Sequence, residues 1–146
     1  MPVARSTTPS LLLCGYYGEH NLGDDALLQV LLQDLPPCSS LVIAAADSEP
    51  VQALAPTALV INRRSLNATL RAALRTDVLI FGGGSLLQDS TSFKSLIYYL
   101  LLICAARFRG GRVLLWGQGL GPLRRPISRI LVRWVLPLCA AISWRD

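Results

Sequence analysis

Val78-Leu79-Ile80-Phe81-Gly82-Gly83-Gly84 is a run of four apolar residues opening into three glycines, and its reading decides the fold. So short an apolar run suits a strand buried on both faces, and the glycines suit a tight turn at its carboxyl end. The pattern recurs on both sides. Upstream, residues 11–14 form an expected strand that opens into a loop from Gly15 to Gly23, and downstream residues 112–116 run into Gly117-Gln118-Gly119-Leu120-Gly121-Pro122. Further strands are expected over residues 41–46, 58–61 and 140–143. Helical spacing fills the intervals at 24–35, 49–54, 65–75, 92–107 and 126–136. Pro36 and Pro37 stop the first of these, Leu66, Leu70 and Leu74 share one face of the third, and Pro126 stands in a first turn, where its missing N–H costs nothing. Apolar strands separated by helices require a parallel sheet covered on both faces. The expected fold is a doubly wound, mostly parallel α/β domain.

Composition narrows the class. The chain has 146 residues, 52% hydrophobic and 16% charged, enough for one domain with its own core and too apolar for disorder. Its longest apolar runs, 96–106 and 134–144, are shorter than the roughly 18–20 residues that cross hydrocarbon, so no transmembrane segment is expected. The start carries no apolar stretch long enough for a signal peptide, and the protein reads as cytoplasmic. Residues 1–10 are expected to be a flexible segment ahead of a lobe over 11–146. Because the last strand runs straight to Ser143-Trp144-Arg145-Asp146, the chain reads as a fragment or as one that a partner completes.

Fourteen basic residues against nine acidic ones give a net charge of +5. All but Lys94 are arginine, which suits either anionic ligands or a coding bias. No basic block occurs and no aromatics interleave with Arg63-Arg64 or Arg124-Arg125, so nucleic acid is not an expected partner. Four cysteines at 14, 38, 104 and 139, with no Cys-x-x-Cys pair and a single histidine, His20, do not make a metal site. Cys14, Cys104 and Cys139 read as small buried hydrophobes.

Ligands of open parallel sheets bind beyond the carboxyl ends of the strands, so the three glycine loops are expected to line one crevice. In the first, Asp24 and Asp25 stand at a helix start, where Asp24 suits an N-cap. A carboxylate there would equally orient a sugar hydroxyl or take its proton, and it would repel a phosphate. Asn21 beside Gly23 suits either a hydroxyl contact or a turn, and His20 a turn or an acid-base role. In the second loop, Gly82, Gly83 and Gly84 offer amides that cradle an anion or simply make a tight turn, and Gln88, Asp89, Ser90, Thr91 and Ser92 follow as polar groups, Ser92 also as a cap. In the third, Gln118 lies among Gly117, Gly119 and Gly121. Arg124, Arg125 and Arg145 fall on the same edge, either for an anion or as solvated charge.

Taken together, Gly15-Tyr16-Tyr17-Gly18 with Asn21, Gly23, Asp24, Asp25 and Ala26, then Phe81 to Asp89, Gly117 to Pro122, and Ser143 with Arg145 and Asp146 resemble the amino-terminal half of polysaccharide pyruvyl transferases in order and approximate spacing. The resemblance implies a Rossmann-like lobe of a two-lobed, GT-B-like fold. It implies transfer of a pyruvyl group from phosphoenolpyruvate to a sugar or lipid-linked glycan as a ketal, with no cofactor and no metal. By the same resemblance, the missing carboxy-terminal lobe is a partner of the site. The basic surface would suit the anionic inner face of the membrane, where lipid-linked sugars are assembled, although no amphipathic helix requires it. A nucleotide-sugar glycosyltransferase lobe, and a non-catalytic remnant or split subunit that binds glycan or a partner lobe, are the alternative readings.

Overall fold

The computed structural model describes residues 8–19, 22–83, 86–90, 92–119 and 122–144. Six strands, β1 (Ser10–Cys14), β2 (Ser40–Ala45), β3 (Leu59–Asn62), β4 (Val78–Gly82), β5 (Arg112–Gln118) and β6 (Ala141–Trp144), form one sheet in the order β3-β2-β1-β4-β5-β6. Every pairing in it is parallel. The helices are α1 (Leu22–Asp34), α2 (Ser48–Leu54), α3 (Leu66–Arg75), α4 (Phe93–Phe108) and α5 (Pro126–Val135), with a short 3-10 turn at Leu136–Leu138.

Alternation within the strands explains the winding. Leu79 and Phe81 of β4 face one core, with Ala73 of α3, Leu96, Tyr99 and Ile103 of α4 and Val132 of α5. Ile80 faces the other, with Leu13, Ile43, Leu28 and Leu31 of α1 and Val51 of α2. Both faces of the central strands are thus dry, as fully apolar strands require. Side chains fix several helix starts: Asp47 accepts from Glu49 N ahead of α2, Ser65 from Ala68 N ahead of α3, and Ser92 from Ser95 N ahead of α4. Each satisfies a donor that a first turn leaves unpaired.

Four expectations change. Helix α1 begins at Leu22, so Asp24 is a first-turn residue and not the N-cap, although it still faces the positive end of the helix dipole. In α3 the innermost residues are Thr69 and Ala73, while Leu66 and Leu74 are exposed; the smaller side chains permit close approach to α4. Cys104 is exposed, unlike buried Cys14, because α4 turns only part of its apolar surface inward. Strand β5 continues through Gly117 and Gln118, which places Gln118 in the sheet rather than in a loop.

Strand order positions the site. The chain winds outward from β1 to β2 and β3, then α3 returns it to β4 on the other side of β1. Loops leaving β1 and β4 therefore diverge at a topological switch point, and the crevice between them is where such sheets take ligands.

Candidate active site at the sheet's carboxyl edge

Tyr17, in the loop after β1, is fully buried and fills the base of this crevice. Its hydroxyl donates to Gly82 O at 2.8 Å. A Cβ on Gly15 would lie 2.5 Å from the Tyr17 ring, and one on Gly82 would run into the Tyr17 hydroxyl and Leu31. Both glycines are thus required by the tyrosine. Gly83 has φ +80 and would collide with Leu27 if it carried a side chain, and its N–H donates to Trp116 O at 2.8 Å. The backbone of Gly82 and Gly83 therefore shapes the turn, and the Gly83 N–H is committed within the sheet. Burial lifts the Tyr17 hydroxyl well above the usual tyrosine range, so it acts as a neutral donor.

Gln118 secures the same turn from β5. Its Nε2 donates to Gly83 O at 2.8 Å and to Phe81 O at 3.2 Å. The side chain is fully buried, and its Oε1 has no partner among the described residues. An acceptor left so is costly unless something donates to it. Immediately before it, Gly117 has φ +61 with open space where a side chain would stand.

Asp89 joins the β4 and β5 loops. One oxygen accepts from Arg124 N at 2.7 Å, and the other from Arg125 N at 2.9 Å and Ser128 Oγ at 2.6 Å. The Ser128 hydroxyl, then the Arg124 amide, hold its carboxyl down at about 2. Arg125 is the residue preceding α5 and lacks a side-chain cap of its own, so Asp89 supplies the capping carboxylate from a different loop. The Arg125 guanidinium lies over the Phe93 ring at 4.9 Å.

A second cluster braces the β1 loop against the end of β3. Glu19 pairs with Arg63 at 3.0 Å and Arg64 at 2.5 Å, with only 8% of the Glu19 side chain and 13% of the Arg63 side chain exposed. Arg63 also donates to the Tyr99 hydroxyl at 2.6 Å and lies 4.8 Å from the Tyr16 ring centroid. In the sequence, Arg63 and Arg64 read only as a basic pair that could meet nucleic acid, and this cluster is missed. Their position directly after a buried strand, on the edge where ligands bind, was the available signal.

Asp24 and Asp25 are half-buried at the start of α1, and Asp25 Oδ1 accepts from Gly18 N at 3.2 Å. Gly23 is exposed beside them. Gln88 accepts from the amide and the hydroxyl of Ser90, a local turn that occupies its Oε1. Gly119 follows β5 and is partly exposed. His20, Asn21, Gly84, Thr91, Gly121 and Arg145 lie outside the described residues. Among the described residues no group of three or more His, Cys, Asp or Glu side chains is placed to hold a metal, and no helix is long and apolar enough to cross a membrane.

An all-parallel sheet in this strand order, with glycine turns and carboxylates gathered at its switch point, defines a Rossmann-like α/β domain, a class of fold that takes ligands at the carboxyl edge. The family model for polysaccharide pyruvyl transferase matches residues 21–146, every element from α1 to β6, and the chain belongs to that family. A search of curated proteins finds no match. At the level of the family, membership indicates a transferase of polysaccharide biosynthesis.

Proposed function

We propose that the protein transfers the pyruvyl group of phosphoenolpyruvate to two hydroxyls of one sugar residue, forming a ketal on a cell-surface polysaccharide precursor. In this reaction the methylene carbon of the enol takes a proton, two sugar oxygens bond to the adjacent carbon, and the bond from that carbon to the phosphate oxygen breaks. The hydroxyls lose two protons; one is matched by the new methyl group and one by the departing phosphate. The chemistry needs acid-base groups beside the sugar and donors for the anion.

Asp24 and Asp25 are assigned to the acceptor hydroxyls. Their charge suits a neutral sugar and disfavours a phosphate at the same helix end. The Oε1 of Gln118, without a partner among the described residues, and the open turn at Gly117 suit a hydroxyl donor, and Gly23, Gly119 and Gly121 are assigned to substrate from the sequence pattern. Gly82, Gly83, Gln88 and Asp89 serve by fixing the loops, and Asn21, Gly84 and Arg145 are assigned to substrate from the sequence pattern alone. The reading includes a second lobe facing this edge, as in GT-B-like folds, and cytoplasmic work next to the inner membrane.

The observation that carries the proposal is the convergence of the β1, β4 and β5 loops at the β1–β4 switch point in a chain of this family. The test is release of inorganic phosphate from phosphoenolpyruvate on addition of free or lipid-linked saccharides, with mass spectrometry of the saccharide. Saccharide-dependent phosphate release with a pyruvylated product is the expected result. Turnover of a nucleotide sugar with indifference to phosphoenolpyruvate would overturn it in favour of glycosyl transfer.

A further inference from the structure

The edge of the sheet opposite the candidate site carries a surface that the transferase reading does not use. Helices α3, α4 and α5 run back against the strand direction, so all three end at the amino edge. Two cavities adjoin there, sharing Ser39 and Thr76 in their walls. One, about 690 Å³, is lined by Asp77, Arg109 and Arg112 with the turn at Gly110 and Gly111. The other, about 560 Å³, has an apolar floor that includes Leu41, Leu59 and Ile61, with Arg71 and Arg75 among its lining residues.

The linings of the two cavities thus hold four arginines and one carboxylate. All four are exposed, and none of their side chains has a hydrogen-bond or ion-pair partner among the described residues; the ion pairs there are those of Arg63 and Arg64 with Glu19. The Asp77 carboxylate is taken by the amide of Ser10 at 2.9 Å. Basic residues in a last helical turn also offset the helix dipole, which accounts for Arg75. It does not account for Arg71 in mid-helix or for Arg112, the first residue of β5.

Aromatic exposure marks the same edge. Phe108, the last residue of α4, is 81% exposed, and Trp134, in the last turn of α5, is 76% exposed; they are the two most exposed aromatic side chains among the described residues. Rings of this kind settle at the boundary between headgroups and hydrocarbon, and arginines beside them meet anionic headgroups while their stems stay in apolar surroundings. A nucleic acid would use the charge but gives no reason for an apolar cavity floor.

We propose that the amino edge of the sheet, through Arg71, Arg75, Arg109 and Arg112 with Phe108 and Trp134, docks the protein on an anionic membrane surface. The candidate site then faces away from the lipid, separated from it by the length of the strands, about 20 Å at the usual rise per residue. The inference does not depend on the reaction catalysed.

The test is co-sedimentation of the purified protein with phosphatidylcholine vesicles prepared with and without phosphatidylglycerol. Binding only to the anionic vesicles, weakened by salt, is expected. Each arginine changed to glutamine should weaken partitioning by about fivefold, and Arg71→Gln, Arg75→Gln, Arg109→Gln and Arg112→Gln together by more than a hundredfold. Trp134→Phe should abolish a blue shift in fluorescence on binding, and Phe108→Ser should reduce affinity. Circular dichroism identifies a misfolded variant, and the pair Arg109→Gln with Arg112→Gln then replaces the fourfold change. Absence of binding, equal binding to neutral vesicles, unchanged binding by folded variants, or preferential capture by a competing RNA oligomer would each overturn the proposal.

Discussion

The Tyr17 hydroxyl donates to the carbonyl of Gly82 at 2.8 Å across 65 residues of sequence, tying the loop after β1 to the end of β4. Tyr17→Phe should cost about 1 kcal/mol, the usual net value of one hydrogen bond. Tyr17→Ala should cost about 3–5 kcal/mol through the cavity it leaves. Gly15→Ala should be damaging in the wild type and largely tolerated beside Tyr17→Ala, because its new methyl group would occupy the vacated ring position. Urea denaturation of the single and double variants measures this coupling.

Gln118 presents an amide to two carbonyls of the β4 turn, which predicts an order of damage. Gln118→Leu should cost about 1–3 kcal/mol because Phe81 O and Gly83 O lose a donor. Gln118→Glu should be worse at neutral pH, where a buried carboxylate would face two carbonyl oxygens. It should recover on acidification, since the protonated acid donates as the amide did. Thermal melts at two pH values distinguish the pair.

Asp89 carries a pH dependence of known sign. Its folded value, about 2, is below the ordinary 3.8, so its contribution is present above about 4 and disappears as pH falls through about 2. The wild type should lose more stability between pH 4 and 2 than Asp89→Asn does. Urea midpoints at both pH values, read as a difference between the two proteins, measure the effect.

Glu19 and Arg63 are buried together, so removing one partner leaves the other uncompensated. Glu19→Gln should cost roughly 3 kcal/mol, and most of that should be recovered in Glu19→Gln with Arg63→Met. A double-mutant cycle by chemical denaturation supplies the coupling energy.

Asp24→Asn tests the acid-base assignment. It should lower turnover by about a hundredfold, within the range of general acid-base catalysis, with stability nearly unchanged because the side chain is half-exposed. Phosphate release with saturating saccharide is the measurement, and unaltered turnover would reject the role.

Much of the architecture was legible in the sequence because buried parallel strands are written as continuous apolar runs, as in β4, where Val78 to Phe81 are all apolar. Element ends followed from local chemistry: Pro36 and Pro37 after α1, Ser92 as the cap of α4, Pro126 at the start of α5. Long-range partners were not legible. Nothing near Gly82 reveals that Tyr17 occupies the place of its side chain, and nothing near Asp89 reveals that Arg124, Arg125 and Ser128 will surround it. The same limit hid the Glu19–Arg63 pair, whose members are 44 positions apart. Glycine loops were expected at the carboxyl edge and stand there, but Gly15 and Gly82 are there to admit a tyrosine, a cause that spacing alone does not separate from ligand approach.

The position of β1 between β2 and β4 has a consequence for biosynthesis. On the ribosome, β1, β2 and β3 emerge first and can pair as half a sheet, leaving one side of β1 bare until the nascent polypeptide has lengthened past Phe81. Pairing across such a separation is slow, and the bare strand invites association with other chains meanwhile. The pocket between the halves cannot exist before β4 docks, so a chain halted upstream of that point leaves the ribosome with sticky apolar surface and no binding cleft.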